Sequence, residues 1–242
     1  MEIHDNQDHP YIRTGTELRQ VVDMRQWCSR VEDQRDLGSC TGAAVTGLYE
    51  LLLNREHPTK YTDLSCLFVY YNARMLEGYT NSDAGAYVKN AIKAVAKFGV
   101  CSEAAWPYDT THFADVPPVV CYQDAQCRQI KRYQKLYTIP DALDALSNDS
   151  PVVIGLTLFD QFSRITKETA VLHLPASTES ATGSHAVCLV GYDLTQSRLL
   201  AKNSFGPDWG IQGYFWITTE YAVEHAFDMW TFEIDLVDPC YI

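Results

Sequence analysis

Four residues of this 242-residue chain have the types and settings that covalent acyl transfer needs. Cys40 stands in Gly38-Ser39-Cys40-Thr41-Gly42, where a segment of helical spacing begins. Unpaired N–H groups and a partial positive charge at a helix start both favour a thiolate, and the thiolate is the nucleophile in such chemistry. His185, in Gly183-Ser184-His185-Ala186-Val187, opens an apolar strand, and the flanking Gly and Ser place its imidazole at the lip of a sheet. There it can take and give protons near neutral pH. Asn203, in Lys202-Asn203-Ser204-Phe205-Gly206, offers an amide carbonyl to the imidazole Nδ1–H and so a means to orient the ring. Gln34, six residues before Cys40, offers a side-chain NH2 that can join the Cys40 backbone N–H as an oxyanion hole. Singly, each has a commonplace reading: a small buried cysteine, a strand-end histidine, a turn asparagine and a polar loop residue. The combination is what carries chemical meaning.

These residues need a scaffold that brings distant segments together. Residues 1–18 are polar, without a clear period, and read as an irregular arm; residues 20–34 look extended and turn-rich. From Thr41, the residues Ala43, Ala44, Val45, Gly47, Leu48, Leu51 and Leu52 recur at helical spacing to about Asn54. Ser65 caps a second helix through Leu76, and Gly85 opens a third, with Val88, Ile92 and Val95 on its apolar stripe and Gly99 as C-cap. After Pro107, Pro117 and Pro118 the character changes. A short helical stretch at 141–146 precedes apolar runs at 152–156, 186–192, 199–201, 214–217 and 231–234, which read as antiparallel strands. The expectation is an α+β chain: an arm at 1–18, a mainly helical lobe at 19–118, and a mainly β lobe at 119–242. A cleft between two such lobes is a common place for a site.

Composition sets outer limits. The net charge of −12 argues against a nucleic-acid surface, which needs clustered Lys and Arg. No stretch approaches the roughly 20 apolar residues that span a bilayer, and the acidic start is no secretory signal. Eight cysteines, without C-x2-C spacing, give neither a disulfide scaffold nor a zinc site. Cys121 and Cys127 form either a local disulfide or two unpaired thiols. The remaining histidines do not cluster with cysteines, so no metal or other cofactor is expected.

Taken together, the blocks resemble those of the papain-like cysteine peptidases. Gln34 through Cys40 resembles the Gln-x5-Cys block. Ser184-His185-Ala186-Val187 with Val190-Gly191-Tyr192 resembles the histidine block, and Lys202 through Gly206 with Trp209-Gly210 resembles the asparagine block. His185 follows Cys40 by 145 residues and Asn203 follows it by 163, in the family's order. The resemblance implies a two-lobe fold with the nucleophile helix in one lobe and His and Asn in the other. It implies hydrolysis of peptide bonds by Cys40, His185 and Asn203 through an acyl-enzyme, with the Cys40–His185 pair charged and Gln34 holding the oxyanion. It also implies that an extended peptide runs beside Gly85, that Ala86 and Ser184 border a pocket, that Phe205 shields the His–Asn bond, and that Trp209 packs behind the leaving-group side. Two departures stand out: Leu37 replaces the family's cysteine three residues before the nucleophile, removing its disulfide, and Thr41 replaces the following Trp. They resemble a divergent bacterial or viral branch without a long pro-domain. The expected partners are an extended peptide or protein substrate and a proteinaceous inhibitor, the expected state a monomer, and the expected place the cytoplasm or, for an effector, outside the cell. The arm is a candidate lid. The same triad also suits an acyltransferase, transglutaminase-like or deamidase reaction, or an inactive binding module.

Overall fold

The structure, a computed structural model, describes residues 9–234. Three helices dominate the first half: α1 (Cys40–Glu56), α2 (Cys66–Glu77) and α3 (Val88–Phe98). Residues 41–53 of α1 are all buried, because α1 lies between the other helices and the sheet. Its small residues make the fit possible: a Cβ on Gly42 would stand 2.6 Å from the Cys66 carbonyl oxygen at the start of α2. Ser65 caps α2 as expected, its hydroxyl accepting the Phe68 N–H at 3.1 Å. The third helix begins at Val88, three residues later than the spacing suggests. Gly85 instead sits in a loop at φ +76°, a conformation glycine adopts without strain. Gly99 ends α3 at φ +77°.

The second half adds α4 (Val119–Ala125), α5 (Ile139–Ser147) and α6 (Thr219–His225). The strands are β1 (His9–Pro10), β2 (Val21–Asp23), β3 (Ile130–Leu136), β4 (Val152–Phe159), β5 (Val171–Leu172), β6 (Ala181–Asp193), β7 (Arg198–Lys202), β8 (Tyr214–Thr218) and β9 (Ala226–Ile234). They join in one sheet in the order β1-β3-β9-β4-β6-β7-β8-β5, with β2 paired to β6. The long pairings are antiparallel, while two-residue strands β1 and β5 pair in parallel at the sheet's edges. The result is an α+β fold with a helical side and a sheet side. Residue 118 does not divide the two layers: β1 and β2 belong to the sheet, whereas α4 packs with Phe68 and Cys101 on the helical side.

The described part of the arm is bound to the sheet side. Tyr11 O–H and the Thr14 N–H donate to the Asp144 carboxylate on α5 at 2.7 and 3.0 Å, and Arg19 pairs with Asp149. Asp144 is buried, and a buried carboxylate needs such donors. None of residues 9–19 lines the cleft described below; residues 1–8 lie outside the described residues. Cys121 is a free buried thiol while Cys127 is disulfide-bonded, so the local 121–127 bridge is not formed. Among the described residues, no helix is long and apolar enough to cross a membrane.

Candidate active site

The position of Cys40 follows from how α1 begins. Cys40 is its first residue, and the N–H groups of Cys40, Thr41 and Ala186 are directed to its sulfur. His185 lies on β6, opposite Leu156 of β4, and is where that strand turns from exposed to buried. Neighbouring β7 ends at Lys202, leaving Asn203 just beyond it, buried and held by its N–H to the Gly213 carbonyl at 2.9 Å.

His185 and Asn203 meet as the spacing suggests, but through the other ring nitrogen. Nε2 lies 2.7 Å from Asn203 Oδ1. Because an amide oxygen only accepts, Nε2 carries the hydrogen and Nδ1 is the ring's acceptor. This corrects the expectation of an Nδ1–H contact. Phe205 does cover the pair, its ring centroid 4.9 Å from that of His185. Trp209 and Phe205 do not line the cleft; both pack around Phe162, whose ring is 5.5 Å from His185. Phe162 sits in a short turn of helix after β4, and nothing in its local pattern marks it as part of the site.

Gln34 is buried and clamped at both ends of its amide. Oε1 accepts the Ser204 hydroxyl at 2.5 Å, and Nε2 donates to the Leu37 carbonyl at 2.8 Å. The second Nε2 hydrogen takes part in neither contact. Ser204, directly after Asn203, carries no local signal, because its contact is with a segment 170 residues away. Gln34, Cys40, Gly85, Ala86, Ser184 and His185 share one cleft of about 430 Å³.

Burial sets the electrostatics. It pulls the His185 imidazolium down to about 4, opposed by the Asn203 bond. It pushes the Cys40 thiol up, opposed by the three N–H groups. Burial thus disfavours the charged form of each group taken singly. Farther back, Glu50 of α1 is buried, and burial raises its carboxyl to about 7. It accepts the Ser29 hydroxyl and the Leu64 N–H, and Lys202 Nζ donates to Ser29 Oγ at 2.7 Å.

Residues 18–230 match the family model of the papain family cysteine proteases. The chain belongs to that family. A papain-family relative, an uncharacterized peptidase C1-like protein of Acanthamoeba polyphaga mimivirus, is 34% identical over 92% of this chain and 75% of its own length. A cysteine protease of Blomia tropicalis is 26% identical over 86% of this chain, which spans 63% of that protein. Among solved structures, xylellain, a cysteine protease from Xylella fastidiosa, superposes with a TM-score of 0.88 at 30% identity, covering 96% of this chain and 93% of its own. These papain-family members place the chain among divergent relatives, as its departures at Leu37 and Thr41 suggest.

Proposed function

We propose that the protein hydrolyses peptide bonds with Cys40 as nucleophile, His185 as acid and base, Asn203 as the residue that orients His185, and Gln34 as an oxyanion donor. The observation that carries this reading is the 2.7 Å bond from His185 Nε2 to Asn203, together with Cys40 and His185 lining the same cleft. His185 Nδ1 takes the Cys40 proton as the sulfur attacks the carbonyl carbon. An S–C bond forms, and the carbonyl electron pair moves to oxygen. That oxyanion is held by the Cys40 N–H and the spare Gln34 Nε2–H. The electron pair then returns, the C–N bond breaks, and His185 gives its proton to the leaving amine. A water, deprotonated by His185, cleaves the resulting thioester and frees Cys40. Phe205 and Phe162 keep bulk water from the His–Asn bond, which strengthens it.

The test is alkylation by a peptidyl epoxide, read by mass spectrometry, beside cleavage of an unbiased peptide library. The reading expects one adduct on Cys40, none in Cys40→Ala, slow labelling in His185→Ala, and peptide cleavage by the wild type alone. Absence of both adduct and cleavage in the reduced wild-type protein would overturn it.

A further inference from the structure

The loop that carries Cys40 and the loop that borders the cleft meet without a covalent link; hydrogen bonds join them. The Gly38 N–H donates to both oxygens of the Asp83 carboxylate, at 3.0 and 3.1 Å. The same carboxylate accepts the Tyr70 hydroxyl at 2.5 Å, and the Tyr70 oxygen accepts the Gly85 N–H at 3.2 Å. One run of hydrogen bonds therefore joins Gly38, two residues before the nucleophile, to Gly85, at the edge of the cleft. The backbones are close enough that a Cβ on Gly38 would stand 3.0 Å from Asp83 Oδ1 and 3.2 Å from the Gly85 nitrogen.

Tyr70, the middle member, is itself fixed. It is fully buried on α2, and the Arg74 guanidinium lies 4.2 Å above its ring centroid. Arg74, also fully buried, donates to the Thr80, Ser82 and Phe113 carbonyls. It thereby ties the loop leading to Asp83 to the same helix. Two polar residues of α2 thus set where both loops lie.

Building on the peptidase reading, we propose that Asp83 is a positioning residue for catalysis: a carboxylate clamp that aligns the Gly38–Cys40 turn with the Gly85–Ala86 edge. It touches neither nucleophile nor peptide. Through Gly38 it sets the direction of the Cys40 N–H, and through Tyr70 it sets the edge on which the peptide is laid. A displacement of about 1 Å at such a distance from the chemistry can cost on the order of 10²-fold in rate. The clamp's electrostatic effect runs the opposite way, since the Asp83 charge disfavours the Cys40 thiolate. Its loss therefore cannot be mistaken for a loss of nucleophile.

The experiment compares wild type, Asp83→Ala, Asp83→Asn and Tyr70→Phe in three readouts: peptide hydrolysis with kcat and KM separated, Cys40 alkylation by iodoacetamide, and backbone amide exchange of the segments at 34–42 and 82–88. Asp83→Ala is expected to lower kcat/KM roughly 10- to 100-fold, with alkylation unchanged or faster and exchange faster in both segments. Asp83→Asn, which keeps one acceptor oxygen for Gly38, recovers part of the loss. Tyr70→Phe leaves the Gly38 contact in place, raises KM more than it lowers kcat, and speeds exchange at 82–88 alone. Unchanged kcat/KM in Asp83→Ala, or unchanged exchange at 34–42, overturns the clamp. A wild type that alkylates but cleaves no peptide refutes the peptidase reading, and the exchange data then decide the clamp by themselves.

Discussion

Glu50 makes the sharpest prediction about stability. Its side chain is enclosed behind the nucleophile helix, with Ser29 and Leu64 as donors and Lys202 on the far side of Ser29. Burial holds its folded-state pKa at about 7, against 4.5 for the free group. The folded protein therefore binds a proton that the unfolded chain releases between those two values. A raised pKa gives stability that is fully present below pH 4.5 and is lost as pH rises through 7. At about 1.4 kcal/mol per pH unit, the span of roughly 2.5 units is worth about 3 kcal/mol. Glu50→Gln keeps the shape and removes the proton. With both proteins in a Cys40→Ser background, which prevents self-cleavage, urea unfolding is measured from pH 4 to pH 8. The wild-type carboxyl is expected to lose about 3 kcal/mol relative to the glutamine variant across that range, since every other titrating group cancels in the difference. Parallel curves would refute the reasoning. So would the opposite slope, which would mean that attraction to Lys202 outweighs desolvation and keeps Glu50 ionised throughout.

Three further substitutions act on the site. Gln34→Ala is expected to lower kcat by on the order of 10²–10³ with little change in KM, and Ser204→Ala by roughly tenfold. Because Ser204 acts through Gln34, the double variant falls no lower than Gln34→Ala alone; an additive loss in steady-state kinetics would contradict that chain of contacts. Phe162→Ala empties the centre of the aromatic group that backs His185. Urea denaturation should show a loss of about 3–5 kcal/mol, with activity falling even where the protein is fully folded. A folded variant with wild-type kcat would show that Phe205 alone protects the His–Asn bond.

Much of this site is legible in the sequence because its members sit in short blocks with local signals. Cys40 begins a helix whose small residues mark close packing, and Asn203 ends a strand in turn-forming company. Gly85 illustrates where such reading fails: a glycine before an apolar period looks like a helix start, yet its φ of +76° places it in a loop whose course depends on Tyr70. The choice of Nε2 over Nδ1 for Asn203 is likewise set by how β6 and β7 pair, not by any neighbour in the chain. β3 carries no strand signal of its own, because its Ile130-Lys-Arg-Tyr-Gln-Lys-Leu136 is largely polar and is held as a strand by pairing with β9. Phe162, Ser204, Asp83 and Glu50 have no local signal at all. Each becomes meaningful only through a partner brought near by the fold, which is the expected behaviour of residues that support a site and do not perform its chemistry.

The segment from Val21 to Gln34 explains why the site depends on both halves of the molecule at once. β2 adds to β6, the strand of His185, and the Met24 N–H continues that contact to the Val190 carbonyl at 2.9 Å. Farther along, the Gln34 N–H donates to Ser204 and the Gly206 N–H to Glu32, at 2.8 and 2.9 Å. The chain that carries Gln34 is thus bonded to the Asn203 turn before it enters α1. Ser29, within the same segment, joins Glu50 of α1 to Lys202 of β7. Any relative movement of the helices and the sheet must strain these contacts together. Cys40, His185 and Gln34 are therefore held in register by one short stretch of chain, and substitutions in it should lower kcat before they lower substrate binding.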